Sequence, residues 1–231
     1  MARLLALLPA YDGRRANARA MVEMAMVGNL DVLIREIQGS LLAFNFNQGW
    51  AFALDANPDF VLLLHDDIVP AAGNWLQIMF EELTLNRAGV VSVVSPIKTA
   101  AGLTSTAVET ADPWHPRRLS MTEVFQKPET WTEPGLLLNT GLALIDFRQE
   151  WVRDPNVFFT INDRIVRKPD GSYVAEVQPE DWNWSRAAAA AGARLFATRK
   201  VVIQHIGRAE YMNDAPWGLQ ETDPVWAEVN K

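Results

Sequence analysis

The first hundred residues alternate between short apolar runs and longer segments with helical periodicity. Most of the runs are nearly continuous in apolar residues, which is typical of buried parallel strands, and one alternates in the manner of an ordinary strand. These predicted strands lie at residues 3–13, 31–38, 59–67 and 88–98. The intervening segments predict helices at residues 14–29, 40–57 and 71–86.

Local signals mark the ends of the predicted helices. Ser40 is a candidate N-cap for the second helix, and Asn57 followed by Pro58 is expected to end it. Gly28 is expected to end the first helix, because glycine is common just after the last helical residue. The alternation of strand and helix predicts an α/β domain with a central, mostly parallel sheet flanked by helices. In such sheets, ligands bind beyond the carboxyl ends of the strands.

The second half of the chain is less regular. Residues 99–135 carry many turn residues and predict loops and short strands that cross the front of the sheet. Residues 136–152 predict a strand, a turn, a second strand and a short helix. A further helix is expected from Pro179, because acidic residues fill its first turn and an alanine run follows. A last strand is expected to end at His205.

Composition and charge narrow the possible functions. The chain has 231 residues, a net charge of −7 and no cysteine. A net negative charge argues against non-specific nucleic-acid binding, which requires a basic surface. The lack of cysteine excludes disulfides, thiolate zinc sites and cysteine nucleophiles. No apolar stretch approaches the ~20 residues of a membrane helix, so we expect no membrane span and a cytoplasmic protein. We expect one domain over residues 1–207 and a C-terminal tail, or flap, over residues 208–231.

Two adjacent carboxylates, Asp66 and Asp67, follow the most hydrophobic predicted strand. The two negative charges repel each other, and their removal from water costs free energy. A bound divalent cation offsets both costs, because hard ions prefer oxygen ligands. A second acidic pair, Glu180 and Asp181, opens the late helix, and His205 ends the last strand. Together these residues can supply a metal ligand, a general base and a third ligand. The simpler alternatives are a solvated turn, acidic residues that favour a helix dipole, and a structural histidine.

Five segments in this order resemble the GT-A glycosyltransferases, especially the compact family 2-like enzymes of bacteria and phages. The segments are "PAYDGR", "LLLHDDIVP", "LLLNTGLALID", "PEDWNWSRAAAAAGARLFA" and "VVIQHIG". The resemblance covers about residues 3–207 and implies a Rossmann-like sheet that binds a nucleotide-diphosphate sugar.

The resemblance also implies roles for individual residues. In the first segment Tyr11, Asp12 and Arg14 become candidate nucleotide contacts. Asp67 becomes a ligand of Mn²⁺ or Mg²⁺, and Asp66 is expected near the ribose or the sugar.

The later segments are expected to complete the site. Thr140 and Gly141 would shape the pocket for the donor sugar and the acceptor. Asp181 would be the general base in an inverting enzyme, Glu180 would bind an acceptor hydroxyl or replace it as base, and His205 would be a metal ligand.

The implied function is a metal-dependent transfer of a sugar from a nucleotide-diphosphate donor, such as a UDP- or GDP-sugar, to a hydroxyl acceptor. The acceptor stays open between a glycan, a protein, a small molecule and a modified nucleobase. The second strand ends in "EIQGS", where many family 2 enzymes carry an acidic pair that binds the nucleoside, so the base also stays open. The alternatives are a nucleotidyltransferase and a non-catalytic nucleotide-sugar-binding module of the same fold.

Overall fold

A computed structural model describes residues 1–10, 17–24, 30–207 and 210–218. The helices are α1 (Asn17–Met24), α2 (Leu42–Ala56), α3 (Trp75–Leu85), α4 (Met121–Gln126) and α5 (Glu180–Ala190), with a 3-10 helix at Glu150–Arg153. The strands are β1 (Ala2–Ala10), β2 (Leu30–Gln38), β3 (Phe60–Leu64), β4 (Ile68–Pro70), β5 (Val90–Val93), β6 (Leu103–Val108), β7 (Arg117–Ser120), β8 (Thr130–Trp131), β9 (Leu136–Leu137), β10 (Leu142–Asp146), β11 (Asn162–Arg167), β12 (Tyr173–Gln178), β13 (Leu195–Thr198), β14 (Ile203–Ile206) and β15 (Glu210–Met212).

The central sheet has seven strands in the order β2-β1-β3-β10-β5-β13-β8. Strands β2, β1, β3, β5 and β13 share one direction, while β10 and β8 run antiparallel to their neighbours. The predicted α/β class with a mostly parallel central sheet is therefore confirmed. The four strands predicted in the first half all belong to this sheet.

Helices cover both faces of the central sheet. The five residues of β3 are all buried, and they alternate between the two faces as a strand must. Val61 and Leu63 join a core with residues of α2 and α5, whereas Leu62 and Leu64 join a second core with residues of α1 and α3.

The ends of α2 differ in how well they follow local sequence signals. The helix begins after Leu41, and no side chain caps it, so the predicted cap at Ser40 is wrong. At the other end Asn57 adopts a left-handed conformation with φ of 47°, which an asparagine tolerates better than most residues. The predicted end before Pro58 is confirmed.

Smaller sheets complete the fold. One consists of β7, β6 and β9, a second consists of β15, β14 and β4, and β11 with β12 forms a two-stranded hairpin. The hairpin was not predicted. The β4–β14 pair is the most consequential for the site, because it ties the segment after β3 to the last predicted strand.

The described part of the C-terminal segment, residues 210–218, adds a strand to the small sheet that contains β4 and β14. Strand β15 pairs with β14, and the buried Asn213 side chain accepts from the backbone N–H of Ile203 and donates to the carbonyls of Val94 and Val201. The predicted boundary at residue 207 stays a prediction, and residues 219–231 of the predicted tail, or flap, lie outside the described residues. No helix in the described ranges has the length and apolar character needed to cross a membrane.

Candidate functional site

The two aspartates lie in a tight turn that joins β3 to β4. The turn begins where the backbone N–H of His65 donates to the carbonyl of Gly141 at 2.8 Å, and it closes where the N–H of Ile68 donates to the carbonyl of His65 at 3.3 Å. The carbonyl of Asp67 accepts from the N–H of Ile206 at 2.8 Å. The position of Asp67 is thus fixed by β10 on one side and by β14 on the other.

His205 reaches Asp67 because β14 pairs with β4 in a register that sets His205 opposite Ile68. Its Nε2 atom lies 3.6 Å from Oδ2 of Asp67. Its Nδ1 atom lies 2.6 Å from the carbonyl oxygen of Pro96 and 3.3 Å from the hydroxyl of Ser95. A carbonyl can only accept, so Nδ1 carries a proton and donates it there. The Nε2 atom of His205 faces Asp67 while Nδ1–H donates to a backbone carbonyl, which is how metal-binding histidines are usually oriented.

The surroundings of Asp67 favour its charged form. Burial by itself would raise the pKa of Asp67, but the contacts with His205 and Lys98 outweigh it and hold this pKa well below its usual range. The Oδ1 atom of the same carboxylate is buried and has no hydrogen-bond partner among the described residues. Asp67 is consequently an ionised carboxylate, one oxygen of which has no hydrogen-bond partner among the described residues.

His65 is the half-buried neighbour of this carboxylate. Desolvation lowers the pKa of His65 to about 4, with Asp67 opposing the shift and with His205 and Lys98 adding to it. The Nε2 atom of His65 is buried without a hydrogen-bond partner, and its ring lies 5.4 Å from the ring of Phe46. His65 is therefore a neutral group at the floor of the site.

A cavity of about 200 Å³ opens beside the aspartates at the carboxyl ends of β1, β2 and β3. Its lining residues are Pro9, Gly39, Ser40, Leu42, Asn45, His65, Asp66 and Asp67. This is the edge at which open α/β sheets bind ligands. The predicted nucleotide contacts Tyr11, Asp12 and Arg14 follow β1 in sequence, but they lie outside the described residues.

The turn at Thr140 and Gly141 adjoins the aspartate turn. The Asn139 side chain accepts from the N–H of Gly141 at 3.1 Å and donates to the carbonyl of Val93 at 2.9 Å, so the turn is anchored to the end of β5. A Cβ atom on Gly141 would lie 3.2 Å from Oδ1 of Asn139 and 3.4 Å from a side-chain carbon of Ile68. A glycine therefore allows this turn to pack closely against the segment that holds Asp67.

The second acidic pair lies in the first turn of α5. Desolvation raises the pKa of Asp181 to about 8, and repulsion from Glu180 adds to the shift, while the charge of Arg118 and the backbone N–H of Trp182 oppose it. Desolvation also raises the pKa of Glu180. The N–H of Trp182 donates to Oδ1 of Asp181 at 2.8 Å. A carboxyl with a raised pKa in a partly enclosed position is suited to proton transfer near neutral pH.

The two acidic pairs are connected through β6. The indole N–H of Trp182 donates to the carbonyl of Ser105 at 2.9 Å, and the N–H of Ser105 donates to the carbonyl of Ser95 at 2.8 Å. The hydroxyl of Ser95 in turn contacts the His205 imidazole. The start of α5 and the Asp67–His205 pair are therefore linked by a short path of direct contacts.

Ser185 also ties α5 to this edge of the sheet. Its hydroxyl accepts from the N–H of Leu138 at 3.0 Å and donates to the carbonyl of Asp181 at 2.8 Å. Leu138 directly precedes the Asn139–Gly141 turn, so the first turn of α5 approaches the end of β3. All described candidate residues thus belong to the carboxyl edge of the central sheet.

The site fits a divalent ion only in part. Among the described residues, no three carboxylate or imidazole side chains converge to hold an ion by themselves. Asp67 and His205 supply two suitable donor atoms, and the unsatisfied Oδ1 of Asp67 is compatible with an additional contact. Mg²⁺ and Mn²⁺ sites on nucleotides often use one or two protein ligands and complete their coordination with phosphate and water. The pair therefore fits a metal that is bound together with a diphosphate.

Sequence reasoning did not identify Lys98, whose ammonium group contacts Oδ2 of Asp67. No motif marks this lysine, because its role depends on the path of the chain after β5. Trp182 and Trp184, which follow the acidic pair in α5, are both buried. The ring of Trp184 stacks on Phe159 at 5.4 Å with an interplanar angle of 2°, and Arg118 covers the ring of Trp182. Both tryptophans therefore pack within the protein.

A larger cavity of about 560 Å³ lies away from the aspartates, between α5, β13 and the loop before β9. Its polar wall includes Arg186, which is already paired with Glu109 and bonded to Asn183 and to the carbonyl of Pro113. No buried polar side chain on this wall is left without a partner among the described residues. Size alone does not make this cavity the stronger candidate.

No protein-family model and no curated protein sequence matches the chain. Among solved structures, the chain is similar to the crystal structure of A197 from STIV, with a TM-score of 0.56 and 15% sequence identity. The match covers 96% of this chain and 95% of that chain. At this identity the similarity concerns the fold alone. The mixed α/β architecture, compatible with a Rossmann-like fold, is therefore shared along nearly the whole of both chains.

Proposed function

We propose that the protein is a metal-dependent glycosyltransferase of the GT-A type, which transfers a sugar from a nucleotide-diphosphate donor to a hydroxyl acceptor. The observation that carries the proposal is the Asp67–His205 pair, beside a cavity at the carboxyl ends of β1, β2 and β3. An ionised carboxylate, an oriented imidazole and a cavity at the ligand edge of an α/β sheet suit a metal-bound diphosphate.

In this proposal Asp67 and His205 hold Mn²⁺ or Mg²⁺, and the ion supplies Lewis-acid neutralisation of the departing diphosphate. Asp66 lines the same cavity and is proposed to contact the ribose or the sugar. The half-buried, neutral His65 is proposed to line the inner wall of the site and to add no charge there. Thr140 and Gly141 are proposed to form the wall of the site on the side of β10.

Asp181 is proposed as the general base, which takes the proton of the acceptor hydroxyl as that oxygen attacks the anomeric carbon. Its raised pKa makes it a stronger base than an ordinary aspartate once it has lost its proton. Glu180 is proposed to bind an acceptor hydroxyl and also keeps the pKa of Asp181 high through repulsion. The acceptor is identified only as a hydroxyl compound.

The test is the release of nucleoside diphosphate and free sugar from UDP- and GDP-sugars, with and without Mn²⁺. We expect metal-dependent release, reduced at least roughly 100-fold by Asp67→Asn. The matched control is Asp163→Asn, which alters an exposed carboxylate on the β11–β12 hairpin. Metal-independent release, or equal release by Asp67→Asn and Asp163→Asn, would contradict the proposal. Release of pyrophosphate from a nucleoside triphosphate would instead support a nucleotidyltransferase.

A further inference from the structure

Lys98 is the nearest cationic neighbour of the proposed metal ligand. Its ammonium group forms an ion pair with Oδ2 of Asp67, and the two side chains are 36% and 20% exposed. The same oxygen lies 3.6 Å from Nε2 of His205. A metal ion shared by Asp67 and His205 would have to approach the oxygen that Lys98 already contacts.

The path of Lys98 to Asp67 depends on a close packing contact. A Cβ atom on Gly207 would lie 3.0, 3.2 and 3.3 Å from the Cδ, Cγ and Cβ atoms of Lys98. Gly207 is held there because the N–H of the preceding Ile206 donates to the carbonyl of Asp67. The lysine stem therefore lies across a residue that has no side chain.

The backbone around Lys98 is also held in place. The N–H of Ile97 donates to the carbonyl of Leu103 at 2.9 Å, and the N–H of Thr99 donates to the carbonyl of Ile97 at 2.8 Å. These bonds fix the segment between β5 and β6 on the side of Asp67. The ion pair is thus supported by packing and by backbone bonds, in contrast to an ordinary surface pair between two mobile side chains.

We propose that Lys98 is a resident counter-cation of Asp67, which competes with the divalent ion for this carboxylate and thereby sets the metal affinity of the site. The proposal rests on the proposed function in so far as Asp67 binds a metal. Without metal, Lys98 neutralises the partly buried carboxylate. When the ion binds, the ammonium group has to leave Oδ2, and the energy of the lost ion pair weakens metal binding.

The experiment is a titration of each full-length variant with Mn²⁺ at a fixed concentration of UDP, monitored by isothermal titration calorimetry. Lys98→Met is expected to bind Mn²⁺ roughly tenfold more tightly than the unchanged protein. The substitution removes a positive charge that repels the metal ion and that occupies an oxygen of Asp67. Lys98→Arg keeps the charge and is expected to retain weak binding. Lys127→Met removes the same charge from a lysine paired with Glu133 and is expected to leave the affinity within about twofold.

Gly207→Ala provides a second route if Lys98→Met fails to fold. The added methyl group displaces the lysine stem and is expected to raise the Mn²⁺ affinity in the same direction. Equal or weaker Mn²⁺ binding by the folded Lys98→Met variant, or by Gly207→Ala when it is the only folded variant, would overturn the proposal and leave the metal site standing. Asp67→Asn separates the two ideas, because Mn²⁺ binding that survives this change, or that is absent from every variant, contradicts both the metal site and the role of Lys98.

Discussion

The Nε2 atom of His205 lies 3.6 Å from Oδ2 of Asp67, although the two residues belong to different halves of the chain. The β4–β14 pair brings them together, and the carbonyl of Pro96 orients the imidazole by accepting a hydrogen bond from its Nδ1–H group. The pair is the centre of the proposed metal site.

His205→Ala is predicted to weaken Mn²⁺ binding in the presence of UDP or GDP by roughly 10- to 100-fold, because one of two protein donors is lost. His115→Ala is the matched control, since His115 lies in an exposed loop and is hydrogen bonded to Asp112. Isothermal titration of both variants measures the difference. Equal affinities would remove His205 from the proposed site.

Asp181→Asn is predicted to become progressively more stable, relative to the unchanged protein, as the pH rises. The pKa of Asp181 is raised from its ordinary value of 3.8 to about 8 in the folded state. The folded state therefore retains a proton that the unfolded state has lost, and stability falls as the pH rises between these two values. Asparagine does not titrate, so this loss is absent from the variant.

Melting temperatures at pH 5 and pH 8.5 test this prediction, with Asp163→Asn as the exposed control. The difference in melting temperature between Asp181→Asn and the unchanged protein should grow across this interval. A difference that stays constant would mean that Asp181 ionises normally in the folded protein.

The rate of sugar transfer is predicted to rise with pH and to level off above about 8, because the base must be deprotonated. Glu180→Gln removes a repulsive charge and should move the midpoint of the profile to lower pH. Arg118→Met removes an attractive charge and should move it to higher pH. The profile of kcat/KM against pH measures both shifts.

Asp181→Asn should reduce the rate by roughly 10²- to 10⁴-fold at every pH. Midpoints that do not move in opposite directions in the Glu180 and Arg118 variants would contradict the role of Asp181 as base. A rate that Asp181→Asn leaves unchanged would do so as well.

Trp184→Ala is predicted to lower the free energy of unfolding by about 3–5 kcal/mol, as for other fully buried aromatic residues. Trp184 is 0% exposed and contacts Trp50, Trp151 and Phe159. Trp114→Ala is the control, because that ring is partly exposed and is covered by Arg164, and it should cost less than half as much. Urea unfolding compares the two. A nearly neutral Trp184→Ala would contradict the packing role of this ring.

Much of the fold could be predicted because its core strands carry strong local signals. The five apolar residues of β3 and the acidic start of α5 behave as their sequence suggests. The position of Asp67 at the carboxyl end of β3 follows from chain order alone. His205 could be placed at the end of a strand, but its partner across the β4–β14 pair could not be deduced from one sequence.

The remaining features depend on long-range contacts. Strand β13 could not be predicted from the sequence. Its four residues follow the alanine-rich helix, and Gly192 is the only strong turn signal between them. The β11–β12 hairpin lacks a buried apolar face, since only its inner side is partly covered. The direction of β10 and the position of Lys98 beside Asp67 leave no local pattern in the sequence, because both are set by which segments meet in the folded chain.

The most direct test of the account is a crystal of the protein soaked with Mn²⁺ and UDP or GDP, recorded with anomalous scattering from manganese. The account predicts an anomalous peak bound by Asp67 and His205, with the diphosphate on the same ion and the nucleoside at the carboxyl ends of β1, β2 and β3. A nucleotide ordered in the larger cavity between α5 and β13, with Asp67 still paired to Lys98 and no manganese beside it, would contradict it.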